Sequence, residues 1–285
     1  MLPPILCEQL CSLNPNVDRL AYSCIWKMKA NGTLVNEAPY FGRTVIRSCA
    51  KLDYATAQRM IDGIIPSVPS EGVDPDEFLK SLSEDVWETN RRPIGQVAWE
   101  CSRDVNMMHS IAKNRRAIRH DNGAMFLTQS KLSFRLDDNG NPCSVAGYPI
   151  RESNKLIEEY MLLANYFVAQ EMLSRNGGAA FLRNHESAGG YDLEGFQSMA
   201  KDLGVTIDVS TQKALQRSLF LMDRDCESSV SSALSSLLLS TMKRANYIVA
   251  GYDCDNWPHS ALAIPYYTHF TSPIRRYESF VIFSC

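Results

Sequence analysis

No run of residues is apolar enough for long enough to span a bilayer. The longest, around Val230–Leu239, is broken by serines and falls short of the roughly 20 apolar residues a spanning helix needs. The first residues, Met1-Leu2-Pro3-Pro4-Ile5-Leu6-Cys7-Glu8, lack the basic segment of a secretory leader. The 9 cysteines are odd in number and show no paired spacing, which excludes the disulfide framework of small secreted domains. Cys7 and Cys11 are four apart with no second Cys/His pair after them, so no zinc site is expected. The cysteine usage reads most simply as a reducing cytosolic or nuclear compartment, and a cytoplasmic location is expected. A basic field is missing too. Lys and Arg total 29 against 32 Asp and Glu, a net charge of −3, so a nucleic-acid site would have to be a local patch. No internal repeat or low-complexity tract appears.

What is there is ordinary globular usage: 285 residues, 45% hydrophobic and 21% charged, enough for one large domain or two modest ones. Leu20–Met28 is rich in strand formers. Asn31-Gly32 signals a hairpin turn, and Leu34-Val35 and Thr44-Val45-Ile46 continue the extended pattern. Asp53 is placed to cap a short helix near Tyr54–Ile61, and Asp62–Asp76 reads as an exposed Pro/Gly/Ser-rich loop. Helical patterns follow over Glu77–Thr89 and Val97–Arg119. The second ends in the most basic stretch of the chain, Lys113 to His120, before Asp121-Asn122-Gly123. Cations suit a helix C-terminus, and a solvated helix end is the reading taken for most of them, with a phosphate-facing patch as the alternative.

Ala124–Thr128, Lys131–Leu136 and Cys143–Tyr148 are strand-like around a turn at Asp137–Pro142. Asp137-Asp138 is expected to bond local backbone N–H groups rather than a metal. Ser153 opens a strong helix to about Arg175, with Ile157, Tyr160, Met161, Ala164 and Val168 as its apolar face. Glu158 and Asn165 fall on another line of the same helix, at i and i+7. Further helices are expected over Tyr191–Leu203, Ser210–Leu221 and Ser228–Ala250.

The stretch that organises the rest is Tyr266-Tyr267-Thr268-His269-Phe270-Thr271-Ser272-Pro273-Ile274-Arg275-Arg276-Tyr277. Thr271 or Ser272 before Pro273 reads as a helix start, with a hydroxyl cap and proline at the first helical position. Two arginines in the first turn sit at the wrong end of the helix dipole. Either an anion such as phosphate lies against them, or they pair with acidic side chains elsewhere. The local chemistry leaves both open.

The run His269 to Tyr277 resembles a signature of the RNase II/RNase R (RNB) family of 3′-to-5′ exoribonucleases. The resemblance extends to Arg47–Tyr54, Gly123-Ala124-Met125 and Arg151–Asn165. The Arg151–Asn165 segment is most similar to the eukaryotic branch that degrades uridine-tailed RNA without the exosome. The resemblance implies hydrolysis of single-stranded RNA from its 3′ end to nucleoside monophosphates. It implies a catalytic, phosphate-contacting role for Arg275, and RNA contacts from Thr271, Ser272, Arg276, Glu158 and Asn165, with Glu158 at the 3′-terminal ribose. It also implies magnesium held by a D-x-D-D aspartate cluster, a pattern this sequence does not contain.

The resemblance further places Met1-Leu2-Pro3-Pro4 just after that cluster and sees the chain stop soon after Arg275-Arg276-Tyr277. Residues 1–285 are therefore expected to be a partial RNB domain without its metal ligands, cold-shock domain or S1 domain. An exoribonuclease fragment, an inactive RNA-binding or regulatory remnant, and an unrelated helical interaction domain are the competing functions. The order of separated matches disfavours the third. The expected fold class is α+β: a small antiparallel sheet from the N-terminal third and the Ala124–Tyr148 hairpin, packed by a helix-rich C-terminal half.

Overall fold

A short π-helical turn (Ile5–Leu10) precedes two strands, β1 (Asp18–Ile25) and β2 (Tyr40–Arg47), followed by α1 (Tyr54–Ile61) and the long α2 (Ile94–Asp121). Next come β3 (Leu132–Leu136), β4 (Pro142–Gly147), α3 (Glu152–Asn176) and β5 (Phe181–Asn184). Helices α4 (Gly190–Asp202), α5 (Gln212–Asp225) and α6 (Ser228–Thr241) precede β6 (Asn246–Val249). This computed structural model describes residues 3–67, 87, 92–126, 132–137, 140–147, 150–187, 190–252 and 257–276. The α+β class holds, but among the described residues the strands form three separate antiparallel pairs, β1–β2, β3–β4 and β5–β6, rather than one sheet shared by the N-terminal third and the hairpin. The chain divides into two units: residues 1–116, 151–168 and 269–285, and residues 117–150 and 169–268.

In the first unit, β1 and β2 pair from Asp18↔Arg47 to Ile25↔Tyr40, and the Ser23 and Thr44 hydroxyls meet across the ladder at 2.7 Å. The Asn31-Gly32 turn forms as expected. The Gly32 N–H bonds the Lys29 carbonyl at 2.9 Å. Gly32 lies at φ +81°, and a Cβ there would sit 2.9 Å from the Arg115 backbone nitrogen, so both conformation and space require glycine. The Asp53 side chain accepts from the Thr56 N–H at 2.6 Å and caps α1. Met60, Ile65, Trp87, Val97 and Ala98 form the core of this unit. Trp87 makes an antiparallel bridge with Ala50, which needs extended backbone, so the expected Glu77–Thr89 helix does not include it. The other residues of that segment, and 68–76 of the expected loop, lie outside the described residues.

Helix α2 runs past the expected Arg119 and closes with two backbone bonds, Gly123 N–H to His120 O and Ala124 N–H to Arg119 O. Gly123 at φ +89° makes that reversal possible. The basic stretch is not the solvated end it was expected to be. Asn114 and Arg115 donate to the carbonyls of Ala30 and Gly32. Arg119 is buried, with its guanidinium over the Phe126 ring at 5.2 Å. The two arginines reach a backbone carbonyl and a ring face, which compensate their desolvation.

The first part of α3 also belongs to this unit. Its expected apolar face is wrong at Ile157, which is 45% exposed. Ala164 and Val168 of that face are buried as expected, but Leu156, Glu159, Leu162, Leu163 and Phe167 are buried too, so the helix is enclosed on more than one side and the one-face pattern does not apply.

In the second unit, β3 and β4 form the expected hairpin, and the Asp137 carboxylate accepts from the Asn141 N–H at 2.8 Å. Phe196, Leu215, Leu219, Leu234 and Leu238, from α4, α5 and α6, make its core. The expected helix over Ser228–Ala250 ends at Thr241. The Ser240 and Thr241 hydroxyls turn back to the Leu237 and Leu238 carbonyls, and hydroxyls of this kind compete with helix propagation. Asn246–Val249 then pairs with Phe181–Asn184, and the Tyr247 and Phe181 rings stack at 5.1 Å.

Candidate functional site

Asn165 fixes the site. It lies on α3, is fully buried, and its Oδ1 accepts the backbone N–H groups of Phe270 and Thr271, each at 3.0 Å. One amide oxygen takes two backbone donors of this half-buried stretch, which ties the His269–Arg276 segment to the helix that carries Glu158. The Phe270 ring meets the edge of Tyr22 from β1 at a centroid distance of 6.2 Å.

After Thr271 the chain turns sharply. Ser272 sits at φ +61°, uncommon for a residue other than glycine, and Pro273–Arg275 forms a single 3-10 turn with proline at its start. The proline position is as expected, but the capping hydroxyl is not, because no side chain caps this turn. The left-handed Ser272 brings its Oγ to Arg275 Nη2, at 3.4 Å. A turn of three residues also lacks the stacked free N–H groups and dipole of a full helix, so anion binding here rests on the guanidinium. Residues from 277 onward lie outside the described residues, Phe280 to Phe283 among them.

The two arginines differ. Arg275 is exposed. Arg276 is half-buried and donates from Nη1 to the Thr271 carbonyl at 3.0 Å, bracing the turn from within. Thr271 Oγ1 is buried and has no hydrogen-bond partner among the described residues.

Glu158 lies two helical turns before Asn165 and keeps 42% of its side chain exposed. Its Oε2 is 3.7 Å from Arg116 Nη1, close enough for ionic attraction but too long for a hydrogen bond. Arg116 is the residue at this site that sequence reasoning missed. It was read with the other cations of its helix end, and only its position opposite Glu158, 42 residues on, distinguishes it. Nearby, the Lys155 ammonium holds the Glu152 carboxyl below its usual range by a 2.7 Å hydrogen bond, and the charges of His109 and Arg116 act in the same direction. Burial keeps the His109 imidazole below its ordinary pKa.

Among the described residues, no three His, Cys, Asp or Glu side chains lie close enough to hold a metal ion. Glu158 faces a cation rather than a second carboxylate. These residues therefore do not fit a magnesium site. They offer an exposed guanidinium on a constrained turn and a half-exposed carboxylate, both referred to one buried asparagine.

The RNB domain model matches residues 1–282. DIS3-like exonuclease 2 of Xenopus tropicalis is 37% identical over 287 residues, covering 99% of this chain and 32% of that protein. DIS3-like exonuclease 2 of Schizosaccharomyces pombe is 33% identical over 286 residues, covering 99% and 29%. Mycoplasma genitalium RNase R, solved in complex with ribose methylated single-stranded RNA, shares the fold with a TM-score of 0.77 at 22% identity, over 99% of this chain and 38% of that one. The chain thus spans about a third of the length of the curated relatives it matches. By a match that runs over almost every residue, it belongs to the RNB domain family.

Proposed function

We propose that this chain is the RNA-holding part of a 3′-to-5′ exoribonuclease domain that hydrolyses single-stranded RNA from its 3′ end to nucleoside monophosphates. Arg275 would grip a backbone phosphate through its planar fork, and Glu158 would accept hydrogen bonds from the 3′-terminal ribose hydroxyls. Asn165 and Arg276 act as positioning residues, which hold the turn so that Arg275 points outward at fixed geometry. The observation that carries this reading is the Asn165 bridge to Phe270 and Thr271, because it makes one rigid unit of the signature segment and the Glu158 helix. The relatives' names as exonucleases and the RNase R complex with single-stranded RNA support the substrate class. Magnesium dependence is what the resemblance implies for intact family members, and uridine-tailed RNA is the candidate substrate. Binding and positioning are the roles proposed for Arg275, Glu158, Asn165 and Arg276; the described residues group no carboxylates for a metal.

A chimaera tests the reading. Replacing the matching segment of the Xenopus tropicalis protein with these 285 residues is expected to leave an enzyme that shortens 5′-labelled single-stranded RNA from the 3′ end, and Arg275→Ala is expected to slow it. The 285 residues alone, with RNA and magnesium, are expected to bind without releasing nucleotides. A folded chimaera that neither binds nor shortens RNA would overturn the proposal.

A further inference from the structure

Cys49 and Cys101 lie 52 positions apart in sequence, and their sulfurs meet at 3.8 Å, within reach of a weak S–H···S hydrogen bond. Both belong to the first unit. Cys49 stands on a bend between Ser48 and Ala50, whose backbones bridge to Pro15 and Trp87. Cys101 lies two turns into α2, where the next residue, Ser102, donates from Oγ to the Ile65 carbonyl at 2.8 Å. The fold therefore holds both neighbourhoods in place and brings the two sulfurs together. The two side chains are half-buried and pack on the rim of the core made by Met60, Ile65, Trp87, Val97 and Ala98. A small reagent can approach a pair on such a rim.

Two thiols in contact can fill space as small apolar groups, or they can be joined. A disulfide needs its sulfurs at about 2.05 Å, so the approach still to be made from 3.8 Å is about 1.8 Å, a movement that side-chain torsions supply. The surroundings favour the joined form. Burial pushes the Cys101 thiol up to about 12. The charge and hydrogen bond of Cys49 add to this, then the Asp104 charge, while Arg92 opposes it. A buried thiolate is disfavoured, whereas a disulfide carries no charge to desolvate. A thiol of high pKa is also a poor leaving group, so a disulfide made with it is slow to be reduced.

We infer that Cys49 and Cys101 form a redox-modification site, which reacts with a low-molecular-weight disulfide of the glutathione class and closes into an intramolecular disulfide. Cys101 is protonated at neutral pH, so the Cys49 thiolate attacks first, forming a Cys49–glutathione mixed disulfide and releasing one glutathione thiolate. Capping Cys49 removes its charge and hydrogen bond, two of the causes that raise Cys101. Cys101 then gives its proton to solvent and attacks the Cys49 sulfur, and the second glutathione leaves as thiolate. The two protein thiols lose two electrons and two protons, and one glutathione disulfide becomes two thiols. The new bond closes a loop around α1 and the first turns of α2. None of this depends on the RNA reading above.

Peptide mapping of the folded 285-residue chain tests the inference. The reduced protein is treated with glutathione disulfide, remaining thiols are blocked with N-ethylmaleimide, and unreduced tryptic peptides are read by mass spectrometry. A peptide pair joined through Cys49 and Cys101 is expected, and it should disappear after dithiothreitol. Cys11, which is exposed, reports that the reagent is active. Cys101→Ser should stop at the Cys49–glutathione adduct, and Cys49→Ser should leave Cys101 as a thiol. Melts of the reduced variants check that they fold, and the parent map decides the matter even where one does not. The link is expected to raise the melting temperature by about 5–10 °C, the scale for closing a loop of this length. A link that fails to raise it would show that the fold must break to form the bond, and would count against the inference. Both cysteines recovered as thiols, separate glutathione adducts on each, or links to other cysteines would overturn it, and the contact would then be packing alone.

Discussion

Asn165 and Thr271, 106 positions apart in sequence, are joined by a 3.0 Å hydrogen bond from the Thr271 backbone N–H to the buried Asn165 Oδ1, and the same oxygen takes the N–H of Phe270. Removing that oxygen takes the acceptor from two part-buried donors. Asn165→Ala is expected to destabilise the protein by about 2–5 kcal/mol, the sum of two unsatisfied groups at about 1–3 kcal/mol each less relaxation. Urea unfolding checks this, and a loss under about 1 kcal/mol would mean the bridge is not needed to hold the turn.

Thr271→Val gives the opposite result for stability. The Thr271 hydroxyl is buried and unpartnered among the described residues, so an isosteric methyl removes an uncompensated polar group. Stability is expected to stay within about 0.5 kcal/mol of the parent or to rise. RNA affinity should fall severalfold if a phosphate oxygen accepts from that hydroxyl in the complex. Thermal melts and RNA titrations of the same variant report the two effects separately.

Asp53 links stability to acid. Hydrogen bonds from Thr56, backbone first, hold its carboxyl below the usual range, and Arg151 adds to them. A depressed folded-state pKa contributes stability above the unfolded value of about 3.9, and that contribution is lost as pH falls through the folded value. Asp53→Ala is expected to cost about 0.5–2 kcal/mol at neutral pH, as for other lost caps. Asp53→Asn keeps an acceptor without a titrating group, so it should flatten the acid limb of a stability profile between pH 5 and 2. An unchanged acid limb would show that other carboxylates control it.

These expectations divide by range along the chain. The Asp53 cap, the Asn31-Gly32 turn and the start of α3 were legible because each is set by a few neighbouring residues. The β5–β6 pair was not. Asn246–Val249 continues an apolar helical pattern in sequence, and only a partner more than 60 positions away, Phe181–Asn184, makes it a strand. At the candidate site, the signature segment and Glu158 could be proposed from the sequence, but the Arg116 pairing and the burial of Asn165 depend on which elements pack together. The proline-led turn was anticipated, whereas its length and the left-handed Ser272 are tertiary consequences.

The most direct test of the central claim is a salt-dependent anisotropy titration of the chain and its Arg275→Ala, Arg275→Lys and Arg276→Ala variants with oligo-U and oligo-A. Arg275 is exposed and Arg276 is bonded to the Thr271 carbonyl, so their losses should differ in kind. Arg275→Ala is expected to weaken binding by about 1–3 kcal/mol, similarly on both sequences, since a phosphate contact carries no base information. The log–log salt slope should drop by about 0.7, the value for one phosphate on a single strand. Arg275→Lys should restore part of the affinity, because a point charge cannot reproduce the fork, and Arg276→Ala should lower the melting temperature more than Arg275→Ala does. If Arg275→Ala leaves both affinity and salt slope unchanged, the exposed guanidinium does not hold RNA and the assignment of this turn to phosphate binding is wrong.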